Sequence, residues 1–145
     1  MAESVNPIRA WAALLRVHAA VVPKLERAMV GTGLPLSWYD VLLVVNAAPG
    51  RRLRMTELGT QAVLSRERVS RVVGELETAG LVIRERNPDD KRSWFAAITP
   101  EGRRLLRKAA PTYLAAVEQF YLRHLTASEM QTITRALQKV LDAGE

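Results

Sequence analysis

The chain has 145 residues, 48% of them hydrophobic, with 21 Lys and Arg against 15 Asp and Glu for a formal net charge of +6. That is enough for one sizeable core in a single domain, and the absence of cysteine excludes disulfides, thiolate metal ligands and cysteine redox sensing. The longest apolar runs, 10–15 and 41–45, fall far short of a membrane span and no charged-then-apolar leader opens the chain, so a cytoplasmic protein with no membrane partner is expected.

In chain order, Ile8, Trp11, Leu15, His18, Val22, Leu25 and Met29 recur at alternating steps of three and four, the seam of a helix that packs lengthwise on another. Pro23 interrupts this seam and is expected to kink or divide the helix, because it has no N–H for the carbonyl four residues back. A loop over 31–35 leads to a second helix, with Ser37 as cap, Asp40 three residues on, and a buried stripe of Trp38, Val41, Leu42 and Val45. Pro49 and Gly50 end it. A basic connection over 51–54, with room for one small strand, precedes a brief helix near 56–63 in which Leu58 and Val63 should point inward.

The stretch 65–92 is the most informative. Val69, Val72, Val73 and Leu76 line one helical face, Ser65 can cap the start, and Gly80 can close the end in a left-handed conformation. The opposite face carries Glu67, Ser70, Arg71 and Gly74, flanked by Arg66 and Arg68, and is polar, small and cationic. Leu81, Ile83 and Glu85 then alternate with Val82, Arg84 and Arg86 as in a half-exposed strand. Asn87, Pro88, Asp89 and Asp90 make a turn, and 93–98 supplies the returning strand of a hairpin tipped by Lys91 and Arg92. Beyond it, Thr99 and Pro100 open a long helix with Leu105, Leu106, Ala109, Tyr113, Val117, Phe120 and Tyr121 on its apolar side, which Pro111 should disturb. Thr126 to Glu129 forms a capping box for a last amphipathic helix bearing Met130, Ile133, Leu137, Val140 and Leu141.

The charge is not spread evenly: residues 51–108 hold 14 Lys and Arg against 8 Asp and Glu, whereas the flanks hold 7 against 7. A polyanion therefore has one natural docking surface, and it coincides with two helices and a tight turn whose second member is suited to a major groove. The hairpin tip can enter a minor groove, where arginine senses width. Three long amphipathic helices around this unit supply apolar surface for pairing, as expected of a reader that spans two half-sites about one helical turn apart.

The residues resemble the MarR family of bacterial winged-helix regulators over nearly the whole chain. The resemblance runs through 36–42 (Leu-Ser-Trp-Tyr-Asp-Val-Leu), 55–58 (Met-Thr-Glu-Leu), 65–82, 88–92 (Pro-Asp-Asp-Lys-Arg) and 98–102 (Ile-Thr-Pro-Glu-Gly). The most specific block is the Asp-x-Arg wing signature at Asp90 and Arg92, followed by the hydrophobic-Thr-x-x-Gly helix start. The resemblance implies a mainly α (α+β) fold: a single domain over 1–145, with a winged helix-turn-helix at 35–102 and dimerisation helices at 1–34 and 103–145. It also implies a homodimer that represses or activates nearby genes and is often released by a small aromatic or anionic ligand. Gly59 and Gly74 depart from the pattern, sitting where the family has better helix formers, at about 1 kcal/mol each.

Position on the helix assigns Ser70 and Arg71 to base edges, Arg71 being able to bridge the two acceptors of guanine, and lets Glu67 accept from a cytosine amino group or remain a plain solvated carboxylate. Arg66 and Arg68 are expected on phosphates, as are the Ser65 hydroxyl and the free N–H groups at the helix start. Arg84, Arg86, Lys91 and Arg92 make up the basic wing, with Asp90 steadying it by pairing with a basic neighbour. By resemblance, Trp11, His18, Trp38 and Tyr39 lie on helices that border the family's ligand cavity; the competing reading is that all four are packing residues. With only two histidines, no cysteine, no phosphate-cradling glycine loop and no nucleophile motif, no catalytic, metal or cofactor constellation is present in the sequence. The expectation is a nucleoid-associated regulator that reads double-stranded DNA. The alternative is a weakly specific architectural DNA binder without an effector.

Overall fold

The computed structural model describes residues 4–144. They form six α-helices and one small sheet: α1 (Pro7–Met29), α2 (Leu36–Ala47), β1 (Arg52–Arg54), α3 (Met55–Gln61), α4 (Arg66–Thr78), β2 (Val82–Arg86), β3 (Trp94–Ile98), α5 (Pro100–Phe120) and α6 (Ala127–Ala143). Two compact units emerge, Ala28–Thr112 and a second made of Met1–Arg27 with Tyr113–Glu145. The first unit is wider than the expected 35–102, because the end of α1 and the start of α5 belong to it, and Met29, Leu106 and Ala109 are buried.

Within this first unit the sheet is antiparallel in the order β1-β3-β2. Pairs Leu53↔Ala96 and Val82↔Ile98 fall on one face, and all four residues are buried. Arg52↔Ala97 and Ile83↔Ala97 fall on the other, where Ile83 is 48% exposed. The expected alternation in β2 is therefore only partly kept: Leu81 and Val82 are both buried, because β2 begins at Val82 and Leu81 lies in the stop that closes α4, its N–H on the Leu76 carbonyl. The core is closed by Leu34, Leu36, Tyr39, Val41, Leu42 and Val45 from the α2 region and by Leu58, Val69, Val72, Val73 and Leu76 from α3 and α4.

Two junctions fix where α4 and α5 lie. After α4 the N–H of Gly80, at φ 76, donates to the Glu77 carbonyl, and the N–H of Leu81 donates to the Leu76 carbonyl, the paired bonds of a left-handed helix stop. At the start of α5 the Thr99 hydroxyl donates to the Gly80 carbonyl at 2.8 Å and accepts the Gly102 N–H at 3.0 Å. A Cβ on Gly102 would collide with the Leu81 carbonyl oxygen and reach Ile98 Cγ1 at 2.8 Å, so only glycine lets the helix sit this close to the strand.

Several local expectations are corrected. α2 begins at Leu36 with Pro35 as its cap residue and no side-chain cap, so Ser37 lies inside the helix. Val63 is 76% exposed, because α3 stops at Gln61 and leaves it in the turn. Neither Pro23 nor Pro111 divides its helix. Each is exposed, as are Ala19 and Arg107 four residues earlier, so the carbonyls deprived of a donor can be met by water.

In the second unit, the Thr126 capping box forms as expected, with reciprocal bonds to Glu129 of 2.9 and 3.1 Å. Its apolar seams, however, find little cover within the chain. Trp11 is 57% exposed and Leu141 is 67% exposed, and Ile8, Leu15, Leu114 and Val140 are exposed as well. No single helix among the described residues is long and apolar enough to cross a membrane.

Candidate DNA-binding surface

α4 is built as its sequence requires. Ser65 Oγ accepts the Arg68 N–H at 3.3 Å, the four apolar residues at helical spacing are buried, and the other flank is left outward. Ser65, Arg66, Glu67, Arg68, Ser70 and Arg71 are all exposed, and among the described residues none of the charged ones forms an ion pair. Arg71 thus stands on the outward face and Arg66 and Arg68 along its two edges, none of them in an ion pair among the described residues. Arg66 also explains one departure from the family pattern: its side chain lies over Gly59, where a Cβ would sit 3.3 Å from Arg66 Cγ. Gly74 is different, since a Cβ there would meet nothing within 4 Å.

Two contacts hold α4 that local sequence patterns do not reveal. The Trp38 indole N–H donates to Glu75 at 2.8 Å, tying α2 to the outer edge of α4 across 37 positions of sequence. Arg84, one of the wing cations, lies 3.6 Å from Glu77, a contact between β2 and α4. Such a pair at the surface contributes little stability.

The wing tip is organised by backbone bonds. Asn87, the one buried polar or charged residue among those described, donates from Nδ2 to Ser93 Oγ at 2.9 Å and accepts the Asp89 N–H at 3.0 Å. Asp90 accepts the Arg92 N–H at 3.0 Å, so it steadies the wing through the main chain and not by pairing with a basic side chain as expected. Lys91 and Arg92 remain exposed at the tip. Arg86 stacks over Trp94 at 5.0 Å, which fixes its guanidinium beside the hairpin.

The residues named for a ligand cavity are distributed over both units. Trp11 and His18 are exposed on α1 in the terminal-helix unit. Tyr39 is buried, and Trp38 has its N–H engaged by Glu75. Beside them, burial raises the Asp40 carboxyl from its ordinary 3.8 to about 6. Among the described residues no group of three or more His, Cys, Asp or Glu is placed to hold a metal ion.

This arrangement has well-defined relatives. A family model described as MarR family matches residues 32–93, the span from the turn before α2 to the turn of the wing hairpin, just before β3. The HTH-type transcriptional repressor Rv2887 of Mycobacterium tuberculosis is 32% identical over 127 residues, covering 88% of this chain and 89% of that protein. The structure of Sco3205, a MarR family transcriptional regulator from Streptomyces coelicolor in complex with DNA, superposes with a TM-score of 0.85 at 32% identity, over 97% of this chain and 91% of that one. CouR from Rhodococcus jostii RHA1, bound to p-coumaroyl-CoA, gives a TM-score of 0.76 at 30% identity over 88% of both chains. With an outward cationic helix, a basic wing and likeness along almost its entire length, the chain belongs to the MarR family of winged helix-turn-helix transcriptional regulators.

Proposed function

We propose that the protein is a homodimeric repressor that reads a pseudo-palindromic operator, with α4 in the major groove and the wing in the flanking minor groove. Ser70 and Arg71 read base edges and Glu67 accepts from a cytosine amino group, while Ser65, Arg66 and Arg68 hold phosphates. Arg92, Lys91 and Arg86 serve the wing, and Asp90 and Arg84 shape it. The carrying observation is that Arg66, Arg68 and Arg71 of α4 and Lys91 and Arg92 of the hairpin tip are exposed and outside any ion pair among the described residues, while the second unit leaves apolar helix faces uncovered. A dimer covers those faces and doubles the DNA contacts, since a lone module buries too little surface for strong specificity. Release by a small aromatic or anionic ligand is part of the same reading, supported by a relative that binds p-coumaroyl-CoA.

Selection of bound sequences from random duplex DNA tests this, repeated in the presence of phenolic acids. An enriched inverted repeat with half-sites about one helical turn apart, preferred ~10³-fold or more over random duplex at fixed salt, is the expected result. Enrichment of nothing, with uniform salt-sensitive binding, would identify an architectural DNA binder instead.

A further inference from the structure

The outward face of the three-stranded sheet has features that DNA reading leaves unused. Its middle row, Arg52, Ala97 and Ile83, crosses all three strands and forms the floor of an open groove of about 640 Å³. Arg51 and, from the start of α5, Pro100 and Arg103 also line it. Ile83 is 48% exposed in the centre of a strand, where an isolated surface position would more often be polar. Arg51 is the only described non-glycine residue with a left-handed backbone, at φ 53. This conformation costs an arginine free energy that glycine would not incur, and such residues persist where the side chain is needed in place. Arg52 is held over the Phe95 ring at 4.7 Å and lies 3.4 Å from Glu85, which balances one of the three guanidinium charges. Arg51 and Arg103 form no ion pair among the described residues, so the groove has a net positive charge above an apolar floor.

We propose that this groove binds a small organic carboxylate with an apolar body, the carboxylate taken by Arg51 and Arg103 and the body laid on Ile83 and Ala97. Guanidinium forks match carboxylate geometry, and an apolar surface beside them selects against anions that have nothing to bury. The site lies on the opposite face of the sheet from the buried row and uses no residue assigned to DNA. It gives the ligand response a location, resting on that reading only for its consequence and not for binding itself.

The test uses the full chain without DNA, so that failure here leaves operator reading untouched and failure of operator reading leaves this site untouched. The protein has four isoleucines, Ile8, Ile83, Ile98 and Ile133, so isoleucine methyl NMR reports the groove against built-in controls. Benzoate is expected to shift the Ile83 methyl saturably while Ile8 and Ile133 stay in place, and acetate, inorganic phosphate and benzyl alcohol at equal concentration are expected not to. Arg51→Gly, which suits the left-handed backbone, should keep or raise the melting temperature while weakening benzoate at least tenfold, and Arg103→Gln should weaken it similarly. No saturable Ile83 shift, an equal response to phosphate or acetate, shifts shared by Ile8 and Ile133, or undiminished binding by Arg51→Gly would each overturn the proposal.

Discussion

The two units of this chain use the same helical periodicity for opposite ends. In the winged unit the seam of α4, Val69, Val72, Val73 and Leu76, is buried by its own chain, so its polar flank is presented at a fixed angle. In the terminal-helix unit the seams of α1 and α6 are equally apolar, yet Trp11, Leu15, Val140 and Leu141 remain exposed. An amphipathic stripe therefore says that a face needs cover and not where the cover comes from. The first unit carries its own core; the second leaves apolar helix faces exposed.

Breaking the second unit should have the largest effect. Leu141→Asp combined with Trp11→Asp is expected to leave a monomer in sedimentation, with the winged unit still folded and operator affinity lowered ~10³-fold toward that of non-specific binding. A dimer that survives both charges would place the interface elsewhere.

Within the winged unit the effects should be smaller and more selective. Arg71→Ala should cost ~1–3 kcal/mol of operator binding and relax preference at one base position, whereas Arg66→Ala should weaken all sequences alike and reduce the salt slope by about one. Equal small losses in a titration over several salt concentrations would contradict the division between base and phosphate contacts.

Asp40 sharpens the contrast by pH. Its folded pKa of about 6 lies above its ordinary 3.8, so the charged form is penalised: the cost is fully present above pH about 6 and is relieved as pH falls toward 3.8. Asp40→Asn should accordingly stabilise the protein at pH 7 by about 1 kcal/mol, after allowance for solvent around a half-buried carboxyl, and by less at pH 5. Thermal unfolding at the two pH values reads the difference. The smallest expected effect is at Gly74, where open space beyond the missing Cβ lets Gly74→Ala raise stability by about 0.5–1 kcal/mol in the same measurement.

What the sequence made legible follows from range. The Ser65 cap, the Gly80 stop, the Thr99 start and the Thr126 box depend on residues three or four apart, and each forms as its pattern requires. The cationic flank of α4 was legible for the same reason, since burial of four periodic residues dictates what faces outward. The family blocks at 88–92 and 98–102 added the wing and its join to α5. What escaped was contact between distant positions: Trp38 with Glu75, Arg84 with Glu77, and the burial of Asn87 beneath the wing. Those pairings give Arg84 and Trp38 partners that no local pattern announces. Pro23 did not divide its helix as one of the two expected outcomes had it, and α1 and α5 both continue through exposed prolines.

The central claim is that α4 and the wing face DNA together in a two-fold assembly. The chain has no cysteine, so Asp89→Cys at the exposed wing tip gives a single attachment point for an iron–EDTA cleavage probe. Bound to the selected operator, the labelled protein should cut the duplex in two clusters placed symmetrically about the centre of the inverted repeat. Undiminished binding with no cutting, or cutting at one cluster alone, would contradict the account.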